Sequence, residues 1–506
     1  MAMSAASIDH GDIQGMVRYG YGHLPEACFF LLAVRDPGAA RSWIGGALER
    51  SLVSTAAEKR PPPTTALQVA FTREGLEALA VPPDVIAGFS AEFISGMAGE
   101  ESRSRRLGDV GAGAPETWRW GGPGRVPHVL VLLYAEARGL ETWTQVVQGA
   151  SWSAAFVELA CLTTADLDGF EPFGFRDGIS QPRLDWKRER TASGSDRFEY
   201  ENDVALGEFL LGYPNEYGKY TDRPLIDARA DVHGVLAPAE DGPDKRDVGR
   251  NGSYLVFREI DQDVRAFWRF VDAQAGSNPD RRRALAEAMV GRTMSGEPLV
   301  PAGSPSAAGR DEDEGSNQFT FESDPEGLRC PLGAHIRRAN PRNADLPGGR
   351  TGFVGRIVRT LGFRRSGIRH DVISSTRFHR ILRRGREYGG PSLSPDDALR
   401  PAPEGEAERG LHFICLNANI SRQFEFMQNA WMVGTKFDGL SGEGDPLVGN
   451  RQAIPGCPVT DTFSLPQENG VRRRTRGLPE FVRVRGGAYF FLPSIRALRF
   501  LAGAGR

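Results

Sequence analysis

Cys330-Pro331-Leu332-Gly333-Ala334-His335-Ile336-Arg337-Arg338-Ala339-Asn340-Pro341-Arg342 delivers one imidazole after two small residues and follows it at once with arginines. Small residues let a flat ligand come close to the backbone. Neutral imidazole is the commonest protein ligand for a metal. Guanidinium groups just beyond can hold anionic groups on the same ligand's edge. A haem has that form, with an iron wanting an axial nitrogen and two propionates wanting cations. Alone, a histidine beside arginines is more often a loop or core residue than a ligand.

A second stretch, Gly174-Phe175-Arg176-Asp177-Gly178-Ile179-Ser180-Gln181-Pro182, carries a GxxDG pattern. Asp12-Ile13-Gln14-Gly15 precedes it, and Asn251-Gly252-Ser253-Tyr254-Leu255-Val256-Phe257-Arg258 follows at mid-chain. Then come Met289-Val290-Gly291-Arg292, Arg383-Arg384-Gly385-Arg386-Glu387-Tyr388-Gly389, Arg422-Gln423-Phe424-Glu425-Phe426 and Arg485-Gly486-Gly487-Ala488-Tyr489-Phe490-Phe491-Leu492-Pro493. Each is weak by itself. In this order, over nearly the whole chain, they resemble the dye-decolorizing peroxidase family.

The resemblance implies an α+β fold of two ferredoxin-like halves, antiparallel sheets covered by helices, in the dimeric α+β barrel-like superfamily. Residues 1–240 would form the half with the GxxDG motif, and residues 241–506 the half with the histidine and a distal arginine. It also implies haem b, one per chain, with hydrogen peroxide as oxidant and phenols, anthraquinone-like dyes or another small aromatic reductant as donor. A homo-oligomer is compatible with it. The rival reading is a haem-binding protein that stores haem, passes it on or removes its iron.

The chemistry assigns roles within the resemblance. A peroxidase needs a distal group that takes a proton from peroxide and returns it to the leaving oxygen, and a cation to stabilise developing charge. Asp177 matches the first role, because a carboxylate stays basic in mildly acid water where histidine is charged; its alternative is an Asp-Gly turn. Arg383 matches the second, with Arg384 as nearest rival. His335 matches the proximal ligand. Gly178, Ile179, Ser180, Arg292, Asn340, Pro341, Arg342 and Arg383 match haem-contacting positions. The proximal histidine of relatives usually donates its second ring proton to a carboxylate, in some of them from the strand that here reads Phe413-Ile414-Cys415-Leu416-Asn417. No acid is present there. Tyr388, Trp268 and Trp431 are candidates for carrying electrons from the surface, although each fits core packing better.

Composition excludes more than it selects. A net charge of −3 offers no basic field for nucleic acid. The five cysteines, Cys28, Cys161, Cys330, Cys415 and Cys457, include no CxxC or CxxCH, so neither a zinc ribbon nor covalent haem attachment is indicated. Scattered thiols fit a reducing compartment. Met1 to His10 lacks a basic region before an apolar run, and no span is long enough for a membrane, so a cytoplasmic protein is expected.

Periodicity places strands at residues 27–34, 65–72, 126–134, 253–257 and 410–417, and helices at 39–52, 73–79, 262–274 and 420–431. Ala237 to Asp247, polar and rich in turn formers, reads as a linker. Pro301 to Asn317, Asn343 to Arg377 and Pro391 to Glu408 read as polar surface insertions, the middle one a candidate lid or interface.

Overall fold

The computed structural model describes residues 8–189, 202–301, 316–342, 376–451 and 460–503. Its frame is a nine-stranded sheet. The first half supplies β1 (Glu26–Val34), β2 (Thr65–Phe71), β3 (Val129–Ala135) and β4 (Phe156–Thr163). Helix α1 (Pro37–Glu49) follows β1, and α2 (Leu140–Gln148) follows β3. Asp36 starts α1 by accepting the Ala39 N–H at 2.6 Å, with Pro37 at the first helical position. The spatial order β4-β1-β3-β2 is antiparallel throughout, the ferredoxin-like order.

The second half repeats that order. It contains β5 (Ser253–Gln262), α3 (Val264–Ala275), α4 (Pro279–Val290) and the short α5 (His335–Ala339). After these come β6 (Leu382–Arg383), β7 (Arg386–Gly389), β8 (Arg409–Asn417), β9 (Val482–Leu492) and α6 (Ile495–Ala502). Here β5 lies between β8 and β9, with β6 and β7 on the far side of β8. An antiparallel contact of β9 with β2 at Phe491 and Phe71 joins the halves.

Alternation along the strands explains the curl of the sheet. Phe30, Leu32, Val131, Val256 and Phe491 face the helices, while Phe29, Leu31, Leu132, Phe257, Leu416 and Phe490 face inward to a second core. That inner core is shared. Phe29 of the first half meets Phe257 of the second edge-on, with ring centroids 5.9 Å apart. The Ala165 N–H, just past β4, donates to the Glu387 carbonyl in β7 at 2.7 Å. The sheet therefore curls towards itself without closing into a barrel.

Four expectations need correcting. Ala237 to Asp247 is no loose linker, because its turn formers make a hairpin. Strands Pro238–Ala239 and Gly242–Asp247 pair beside Leu225–Asp227. Arginines fasten the hairpin: Glu240 pairs with Arg188 and Arg250, and Asp241 and Asp247 both pair with Arg223. Secondly, Cys28 and Cys161, on adjacent strands, form a disulfide where separate thiols were expected, so the cysteines do not argue for a reducing compartment. Thirdly, the helix expected at 420–431 winds with π geometry over Ser421–Glu425 and Met427–Val433. Finally, the 391–408 insertion is packed in part, with a helix at Pro395–Leu399 and an Arg265–Glu406 ion pair at 2.7 Å. Most of the 301–317 and 343–377 insertions, with His370 and Cys457, lies outside the described residues. No described helix is long and apolar enough to cross a membrane.

Candidate functional site

The second half's helices stand off the sheet and leave a cavity of about 300 Å³. Ile260, Leu411 and Phe413 supply its sheet wall, and Phe424, Met427 and Met432 of the π-wound helix an apolar side. The wider turn of a π-helix is common beside functional sites. His335, Asp177 and Arg383 all line this one cavity.

His335 opens α5, whose first turn begins after the extended Ala334. Its Nδ1 lies 3.0 Å from Asp445 Oδ2. Asp445 has no exposed side-chain surface, and His335 keeps 29 % of its own. The carboxylate is held firmly. Asp445 Oδ1 accepts the Leu447 and Val448 N–H groups at 2.8 and 2.9 Å, and the Asp445 N–H donates to the Met432 carbonyl at 2.8 Å. Burial opposes charge on both partners, and their attraction outweighs it. Asp445 is held below the ordinary carboxylate range, and His335 is raised above the ordinary imidazole value. With Nδ1 taken, Nε2 is the ring nitrogen open to a metal.

Asp177 sits in a turn that needs glycine. Gly174 and Gly178 have φ of +95° and +80°, a region L side chains rarely adopt. The Asp177 N–H donates to the Gly169 carbonyl at 2.9 Å, and the Arg176 N–H to Met294 at 3.0 Å. Arg383 donates from Nη1 to Asp177 Oδ1 at 2.7 Å. Both side chains keep part of their surface open, 30 % for Arg383 and 34 % for Asp177. Burial raises the pKa of Asp177, but the Arg383 charge, the Gly178 N–H and the Arg383 hydrogen bond together hold it below the ordinary value.

Gln181 ties the turn to β6. Its Oε1 accepts the Arg383 N–H at 3.1 Å, and its Nε2 donates to the Arg383 carbonyl at 3.2 Å. Strand alternation separates Arg383 from its rival: Arg384 points the other way and donates to the Met16 and Val17 carbonyls.

The remaining expected residues divide. Ile179, Ser180, Arg292, Asn340 and Arg342 line the cavity, whereas Gly178 and Pro341 do not. Gly178 shapes the turn, and Pro341 is buried behind the wall. Arg292 donates to the Gly296 and Ser316 carbonyls, and burial, with Arg383 nearby, pushes it down to about 10. Arg342 donates to the Asn317 and Phe319 carbonyls and stacks on Phe319. Gly333 does not line the cavity, and a Cβ there would make only ordinary contact with Leu440 and Phe463. Trp268 is buried, bonding to the Phe173 carbonyl, and Tyr388 stacks on His412. Trp431 is also buried, 5.3 Å from the His379 ring.

Three residues of the site had no reading in the sequence. Asp445 precedes proline in a glycine-bearing segment, where an aspartate signals only a turn. Gln181 lies inside the motif without chemistry of its own. Glu171, on the cavity wall, is pushed up to about 7, chiefly by burial.

No family model matches the chain. Among curated relatives, the multifunctional dye peroxidase DyP2 of Amycolatopsis sp. is 29 % identical over 451 residues, covering 87 % of this chain and 82 % of that protein. The dye-decolorizing peroxidase msp1 of Mycetinis scorodonius is 28 % identical over 521 residues, covering 98 % and 88 %. The crystal structure of a fungal DyP-type peroxidase from Auricularia auricula-judae superposes with a TM-score of 0.71 at 25 % identity, covering 98 % of this chain and all of that one. In its ferredoxin-like repeat, and over nearly its whole length, the chain is similar to dye-decolorizing peroxidases.

Proposed function

We propose that the protein is a haem b peroxidase that reduces hydrogen peroxide and oxidises phenols, anthraquinone-like dyes or a related aromatic reductant. One observation carries the reading. A cavity wall holds an imidazole whose Nδ1 is bound to a buried carboxylate and, with it, an ion-paired aspartate and arginine.

The residues present fit a haem. His335 would hold the iron through Nε2. Asp445 would keep Nδ1–H donating, which makes the ligand more anionic. Arg292, Asn340 and Arg342 would meet the polar edge, and Ile179, Ile336, Phe424 and Met432 the apolar ring. When bound, the haem supplies the two-electron chemistry that splits peroxide. Asp177 takes the first proton of peroxide and gives it to the departing oxygen. Arg383 orients the peroxide and stabilises negative charge on that oxygen as it develops.

The rival, a haem carrier, has no use for a paired acid–base group and cation. Turnover with peroxide and a reducing dye, measured beside the haem release rate, separates the two. Haem loading is checked first. His335→Ala should lose most of its haem or shift its absorption spectrum to another ligation. Full loading with an unaltered Soret band would assign the iron elsewhere.

A further inference from the structure

The loop leading to Asp177 holds a second carboxyl that the chemistry above does not use. Glu171 Oε1 accepts the Phe175 N–H at 2.9 Å, and Oε2 accepts the Phe173 N–H at 3.1 Å and the Gln262 amide at 2.8 Å. Its backbone closes the same turn. The Glu171 N–H donates to the Phe175 carbonyl at 2.9 Å, and the Gly174 N–H to the Glu171 carbonyl at 2.8 Å. The chain from Phe173 to Phe175 is thus wound around this carboxyl, just before Asp177. Its partners are two backbone amides and a carboxamide, with no cation among them.

Gln262, the last residue of β5, adds an independent observation. Its Nε2 serves Glu171, while its Oε1 is buried with no partner among the described residues. A half-turn of the carboxamide exchanges its oxygen and nitrogen. In one orientation the NH₂ donates to an ionised Glu171. In the other, the amide oxygen accepts the O–H of the protonated acid. The same two side chains thus serve both states of the carboxyl. Burial pushes Glu171 up to about 7, against the Phe175, Gln262 and Phe173 donors, and the Asp177 charge adds to the rise. Besides the site residues already described, charged groups lining the same cavity are Arg176, Arg258 with its partner Asp109, Arg380, and Glu480 with Arg483.

We propose that Glu171 is a proton-holding positioning residue of the distal loop: it takes up and releases a proton as Gln262 turns to suit, and its state sets the aim of Asp177. This deepens the peroxidase reading and rests on it only where peroxide reactivity is measured. Reducing one peroxide to two waters consumes two protons, besides two electrons from the aromatic reductant. A proton store on the loop that bears the distal base meets that demand.

Infrared difference titration of the haem-loaded protein, without peroxide, reads the carboxyl directly. A protonated-carboxyl band should grow in as pH falls through about 7, vanish in Glu171→Gln and persist in Asp177→Asn. Gln262→Leu removes a partner from both states, and the hydrogen bond to the ionised form is the stronger, so the midpoint should move up by about one pH unit. In stopped-flow reaction with peroxide, the parent's rate constant should change across the same interval, and that of Glu171→Gln should be flat. A band that survives Glu171→Gln overturns proton holding whatever the activity, and a midpoint unmoved in Gln262→Leu overturns the part given to Gln262. An inflection that persists in Glu171→Gln overturns the positioning role. A parent that fails to react with peroxide while the band titrates as stated sinks the peroxidase reading and leaves proton holding supported.

Discussion

At the scale of single residues, Asp177 and Arg383 are ion-paired, and on the proposed roles that pair decides the pH behaviour. Asp177→Asn and Arg383→Leu should keep haem but slow the first reaction with peroxide by about 10²–10³-fold each, read by stopped-flow absorption. Parental rates in both would refute the assignment. The carboxylate must be unprotonated to take a proton, so the rate falls as pH drops through its pKa. Arg383 and the Gly178 N–H hold that pKa below the ordinary aspartate value despite burial. The acid limb therefore lies below the usual aspartate range, and activity persists in acid where a distal histidine would be charged. The same shift contributes stability that is present above the ordinary value and lost as pH falls through the depressed one. Arg383→Leu leaves burial unopposed by that charge, so its acid limb should move to higher pH. An acid limb that stays put in that variant, or survives in Asp177→Asn, would point to another titrating group. These two residues were legible because their chemistry travels with a local pattern: flanking glycines for Asp177, and an arginine run on a strand for Arg383.

At the scale of elements, the proximal arrangement shows where local reading fails. Asp445 is 110 residues from His335 in sequence, and its neighbours Gly444 and Pro446 announce only a turn. The strand Phe413–Asn417, where an acid was sought, contributes apolar wall instead. What brings Asp445 to the histidine is backbone: the Met432 carbonyl at the end of the π-wound helix receives its N–H. Arg338 adds a clamp from α5, donating to the Trp431, Gly434 and Glu443 carbonyls. No sequence period reports such carbonyl contacts, which any residue's backbone can make. Asp445→Asn keeps the shape and removes the charge. Its ferric–ferrous midpoint potential should rise, and haem affinity or activity should drop by roughly 10–100-fold, as for other lost outer partners of metal ligands. An unchanged potential would show that Asp445 leaves the ligand's electron density untouched.

At the scale of the whole molecule, the repeated strand–helix–strand theme was readable because its strands are short apolar runs, while the ferredoxin-like order came from the resemblance. The shared inner core was less so, since periodicity assigns faces within a half but not which half they meet. Phe257 sits fully buried in that core, against Phe29 and Trp120. Phe257→Ala should therefore destabilise the protein by about 3–5 kcal/mol, read as a lower denaturation midpoint for strands of both halves together. A loss confined to one half would show that the halves fold apart.

The Asp177–Arg383 contact spans 206 residues of chain, and the His335–Asp445 pair is complete only at Asp445. During synthesis at roughly 5–20 residues per second, the loop bearing Asp177 leaves the ribosome on the order of 15–50 s before Asp445. A nascent chain thus offers neither the paired cation nor the tuned imidazole. On the proposed roles, oxidising power is withheld until Asp445 has been made, and a chain stopped short of it cannot complete the site.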